Sequence, residues 1–342
     1  MEPPPLSYRL GAALSFFVFT TVGFVLYLPI LAALYKYRAD FHRKHSIYFL
    51  FWNLAVGDMG MFLAQYLLSV PLSLTGANLY GEGALLYALS HFDTVAFRVV
   101  LISSVAIAVN RFCVFVAPPF YKALFEGRRV WVVIGYAWLH GAVDVVLLEV
   151  MGYHKVFHVD YFYFGGSPIH PNNTAQLDFN RRFYLNEIGE AFWQLENALP
   201  MISLALYLTT YFYIKIYLRS PSWHGCGKRG AANGATGSVV VGSVSSMVEA
   251  SLLFQGFLFA FFSTLEVTAY SYAPEFTLLS QRWFGTWLYG SLLVSCSIIL
   301  NSSVNPVILF VVNKGVRSKV LLLLGLNKVT KVVPVKMGRR QR

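Results

Sequence analysis

The sequence predicts an all-α membrane protein: a seven-transmembrane helix bundle with a short surface helix after the last span. Three observations carry this. The 342 residues are 56% apolar and 13% charged, with a mean hydropathy of +0.55, whereas a soluble domain carries about 25% charge. Too few charges remain to cover a globular surface. Seven apolar runs each reach the roughly 20 residues needed to cross the hydrocarbon. Finally, Lys and Arg gather in alternate connecting segments, as a polytopic chain requires.

The elements follow in order. The opening, MEPPPLSYRL, lacks a basic start, a short apolar core and a cleavage site, so the first run is expected to be retained. Span one, about 10–35, is uncharged, and span two, about 47–74, is interrupted only by Asp58. Span three, about 83–116, holds Asp93, Arg98 and Arg111. Spans four, five and six cover about 130–151, 187–218 and 244–270, and span seven runs uncharged from 283 to 313. Residues 314–326 are too few to cross again. Their mixture of Leu with basic residues predicts a helix on the membrane surface. The chain thus reads as one membrane domain to about residue 325, followed by a basic tail, 327–342.

The segments 36–46, 111–129 and 215–230 and the tail 314–342 carry 21 of the 27 Lys and Arg residues. This asymmetry predicts an extracellular N-terminus and a cytoplasmic C-terminus at the plasma membrane. It assigns the net charge of +11 to topology and an anionic inner leaflet rather than to nucleic acid. The longest outer loop, about 152–186, contains KVFHVDYFYF, which predicts a strand or short hairpin over the bundle. The same loop carries a glycosylation sequon at Asn172, whereas the sequon at Asn301 lies within span seven and is expected to be unused. None of the three cysteines, Cys113, Cys226 and Cys296, falls in an outer loop, so no external disulfide is expected.

Ionisable residues within spans are costly and point to function. Asp58 is such a residue. Asn301, Ser302 and Asn305 on span seven have the helical spacing to join it in a buried polar network. Pro306 follows them and loosens the helix by removing a backbone hydrogen bond. On span three, Asp93, Phe97, Val100, Ser104 and Ile107 share the face that ends at Arg111. Asp93 lies about five turns, roughly 27 Å, above that arginine. It is a candidate ligand contact, or else an internal partner of Arg98. Arg98, however, is turned about 140° from Asp93 and would more easily reach Asp144 or Glu149 on span four. Trp193, Glu196 and Trp287 are further ligand candidates. His91 and His140 read as isolated histidines, and no metal site, cofactor or catalytic group is expected.

NLAVGD in span two, NRF closing span three, Trp138 in span four, Pro200 in span five and NSSVNPVIL in span seven stand in a telling order. Their order and spacing resemble those of the rhodopsin-like G-protein-coupled receptors, from about residue 10 to 325. NRFCVFVAPPF and NPVILFVVNKGVR are most similar to the nematode serpentine chemoreceptors of class x. The resemblance implies a receptor, not an enzyme, in which a small molecule or peptide shifts the bundle and activates a heterotrimeric G protein. Asn110, Arg111, Asn305 and Pro306 would form the coupling and switching region. Asn110 stands where the family has an acid, and Glu249 on span six could replace that acid as the partner of Arg111. Leu309 stands where a tyrosine is usual. Span one lacks the usual asparagine, and span six the usual tryptophan and proline. No lysine in span seven could carry retinal. The alternatives from other classes are a transporter or channel using the buried acids, and an intramembrane enzyme.

Overall fold

A computed structural model describes residues 4–40, 46–81, 83–150, 153–160, 162–168, 187–218, 246–286 and 288–326. Seven of its helices are long and apolar enough to cross a membrane. Span one is Leu6–Lys36 and span two is Ile47–Thr75, with a π-helical turn at Gln65–Ser69. Span three is Ala84–Phe115 and span four Val130–Val150. Span five is Glu187–Tyr213, prolonged by the π turn Ile214–Leu218; span six is Ser246–Ser271 and span seven Leu288–Val312.

Span three is the hub. It packs against spans two, four, five and six, and glycines on its neighbours let it come close. A Cβ on Gly57 would lie 2.8 Å from Val100, and one on Gly141 would lie 3.0 Å from the Val95 backbone. Between apolar helices in lipid, such close approach is a main source of cohesion. Gly141→Leu would force spans three and four apart, and overpacking of this kind costs about 1–3 kcal/mol. The variant is expected to melt at lower temperature in detergent. An unchanged melting temperature would mean that span four does not seat on span three in this way.

Each peripheral span has an inner and an outer stripe. On span four, Ile134, Ala137, Gly141 and Asp144 are buried, while Val132, Tyr136, Leu139, Val143 and Val146 are exposed. An apolar stripe on the outward face of a helix suits lipid contact. Span one repeats the pattern, with Leu14, Val18, Val22 and Val25 outermost.

The connections differ from expectation in two places. Residues Pro118–Phe125 form a short helix rather than a plain loop, with Pro118 in the first turn, where its missing N–H costs nothing. Span seven begins at Leu288 rather than at 283. Trp283 and Phe284 end a separate helix, Ala273–Phe284, which Gly285 terminates in the left-handed conformation (φ 70°). Past span seven, the expected surface helix is present as Lys314–Leu323. Asn313 starts it, its side-chain oxygen accepting from the N–H groups of Gly315 and Val316, both at 3.1 Å.

The expected hairpin also forms. Strands β1 (Tyr153–His158) and β2 (Tyr163–Pro168) pair antiparallel, with Val156 opposite Gly165 and Phe157 opposite Phe164. Phe157, Phe162 and Phe164 are buried against the bundle. The Ser295 hydroxyl of span seven donates to the Phe162 carbonyl (2.6 Å), pinning the turn. The hairpin therefore roofs one end of the bundle.

Candidate functional site

A cavity of about 140 Å³ lies beneath the hairpin. Apolar walls come from Met61, Phe97, Leu148, Phe157, Phe164 and Ile298, and six acidic or basic residues, Asp93, Arg98, Asp144, Lys155, Glu196 and Glu266, line it as well. Four are acids and two are bases.

Span three supplies Asp93, Phe97 and Arg98. As the helical spacing predicts, Asp93 and Phe97 share the cavity face. Arg98 turns sideways and joins three spans: Nε and Nη2 both meet Asp144 Oδ2 of span four at 2.8 Å, and Nη1 pairs with Glu196 of span five. The fork geometry of a guanidinium suits this double engagement. The expected pairing with Asp144 is present. The alternative with Glu149 is not, because Glu149 faces His91 of span three and His154 of the hairpin.

Asp93 corrects the internal-pairing expectation. Its partner is not Arg98 but Lys155 of β1, with Nζ 2.7 Å from Oδ2. Lys155 also lies 5.1 Å from the Phe164 ring centre. The hairpin thereby reaches into the cavity with a charge of its own. The second oxygen of Asp93 has no hydrogen-bond partner among the described residues.

Glu266 of span six is the acid the sequence reading overlooked. It is 3% exposed, and one oxygen accepts from Asn301 Nδ2 at 2.5 Å. The other oxygen is without a partner among the described residues. A lone carboxyl inside an apolar run is the signal that picks out Asp58, and it picks out Glu266 equally well.

Deeper in the bundle, Asp58 is fully buried. It accepts from the Tyr27 hydroxyl and from Asn305 Nδ2, the latter at 2.9 Å. The expected link to Asn305 is thus present. Asn301 departs from the expected network, because it turns to Glu266 instead. Ser302 is buried within hydrogen-bonding reach of Asp58, as expected, with its hydroxyl also on Met61 Sδ at 3.6 Å. Asn301 and Asn305 are one helical turn apart, so span seven carries one amide at the cavity and the next at Asp58. The helix runs unbroken through Pro306. A second polar tie crosses spans four, two and three: Trp138 Nε1 donates to Asn53 (2.9 Å), and Asn53 donates to Ser103 (2.7 Å).

At the other end of span three, Asn110 is buried, and Arg111 is half-buried within electrostatic reach of the Tyr48, Tyr121 and Tyr207 hydroxyls. No carboxylate pairs with Arg111 among the described residues. Glu249 and Trp193 lie on the span-six and span-five helices with side chains outside the described residues. Asn172 and Trp287 also lie outside the described residues.

Seven apolar spans around a central third helix, with a roofed polar cavity near one end, form a seven-transmembrane bundle. Residues 17–186 match the family model described as serpentine type 7TM GPCR chemoreceptor Srx. The match takes in most of span one, spans two to four and the hairpin, about half of the chain, and the chain belongs to this chemoreceptor family. No curated protein matches it.

Proposed function

We propose that the chain is a chemosensory receptor of the plasma membrane whose cavity beneath the hairpin binds a small molecule bearing a positive charge. The observation that carries this reading is the make-up of the cavity, four acids against two bases, with one oxygen each of Asp93 and Glu266 unpartnered among the described residues. An unpaired carboxylate in a desolvated pocket is costly, and an incoming ammonium group removes that cost. The apolar walls suit the hydrophobic part of such a ligand. A transport path through the same acids is less well supported, because Arg98 ties up Asp144 and Glu196 in ion pairs.

The hairpin end faces outward in this reading, and the Arg111 end meets a heterotrimeric G protein. The run from Glu266 through Asn301 and Asn305 to Asp58 lies between the two ends and supports transmission along span seven. A ligand has to bind two arrangements of this run unequally to shift it. The test is a second-messenger response in cells expressing the chain, using a panel of small amines. Arg111→Ala is expected to abolish the response at matched surface level. A full response in that variant would place coupling elsewhere, and no response to any amine in the unaltered chain would remove the ligand assignment.

A further inference from the structure

Outside the cavity, at the hairpin end, three side chains from three elements converge. His91 of span three, Glu149 near the end of span four and His154 of β1 place one ligand atom each within 4.8 Å of one another. His91 Nε2 and His154 Nδ1 both lie 2.6 Å from the same oxygen, Glu149 Oε1. That oxygen is crowded, yet neither nitrogen of His91 makes an aligned hydrogen bond among the described residues. A ring nitrogen pressed against a carboxylate without a directed bond has its lone-pair chemistry unused.

We propose that His91 Nε2, His154 Nδ1 and Glu149 Oε1 bind a divalent transition-metal ion of the zinc type. Two borderline imidazole nitrogens and a carboxylate oxygen form a donor set that zinc accepts, and three ligands leave a fourth position for water. With metal–ligand distances near 2.1 Å, tetrahedral ligand atoms sit about 3.4 Å apart. The two 2.6 Å contacts therefore open by about 0.8 Å as the ion enters. Glu149 can make that retreat, since its side chain is 35% exposed at the end of its helix. Both rings bind as neutral tautomers, each keeping its proton on the other nitrogen. The Tyr87 ring stacks on His154, with centres 4.1 Å apart, and fixes its orientation, as outer contacts commonly do at metal sites.

The site sits beside the cavity roof. His154 and Lys155 are consecutive on β1, and Lys155 is the residue that clasps Asp93. An ion at His154 would join the strand to spans three and four and hold Lys155 over the cavity. The nearby Lys155 charge opposes the ion, and the Glu149 carboxylate offsets it.

The experiment uses the full-length chain purified without a polyhistidine tag and reads binding directly, so it does not depend on signalling. Zn²⁺ alone is titrated in competition with a chromogenic chelator. One equivalent is expected, weakened by at least about tenfold in His91→Gln and in His154→Gln, and unchanged in His140→Gln. Metal-free melting temperatures show whether each variant is folded. If either histidine variant does not fold, Glu149→Gln is titrated in its place. Co²⁺ added to the unaltered chain should give a visible ligand-field band that Zn²⁺ abolishes. Absence of a stoichiometric site, or equal zinc binding by the histidine variants, would overturn the assignment.

Discussion

Glu266→Gln is expected to weaken binding of a cationic ligand by roughly 2–5 kcal/mol, which is more than an order of magnitude in affinity. The substitution keeps the shape of the side chain and its contact with Asn301 while removing the charge. Glu266 is the most informative acid in the cavity because no basic group pairs with it among the described residues. Asp93→Asn would be ambiguous, since it strands Lys155 and loosens the hairpin at the same time. Radioligand competition with an amine and with a neutral molecule of similar size is the measurement. The amine should lose affinity and the neutral molecule should not. Equal losses for both would show that Glu266 shapes the cavity without supplying charge.

The second large effect is on folding. Arg98→Met leaves Asp144 and Glu196 facing each other with no cation between them. Removing one partner of a buried ion pair costs about 3–5 kcal/mol, mostly from the charge left behind. Surface expression of Arg98→Met should fall sharply. The triple change Arg98→Met, Asp144→Asn and Glu196→Gln should restore much of it, because no uncompensated charge remains. Failure of the triple variant to recover would mean that the guanidinium holds the spans by geometry rather than by cancelling charge.

The seven spans were legible because hydropathy alone sets which helices can cross a membrane. The hairpin was legible from the aromatic and β-branched run around Phe157, and Arg98–Asp144 from the angular position of Arg98 on its helix. Where span seven starts was not, because Trp283 and Phe284 are apolar like the span itself and only a short uncharged link that begins at the left-handed Gly285 separates them from it. Lys155–Asp93 bridges 62 residues between a loop and a span, and no helical period relates such positions. The His91–Glu149–His154 cluster was hidden for the same reason: each member looks solitary along the chain. Glu266 is different: it stands as a lone carboxyl within an apolar run, the same pattern that marks Asp58.

The hairpin roof bears on timing as well as affinity. A molecule that reaches the cavity past β1 must part Lys155 from Asp93 and slide by Phe157 and Phe164. Association that waits on such a rearrangement runs below the 10⁵–10⁷ M⁻¹s⁻¹ common for unhindered docking. The same barrier stands in the way of departure. Such a receptor would respond late to a brief pulse of stimulus and stay occupied after it ended, averaging concentration over time instead of tracking each fluctuation.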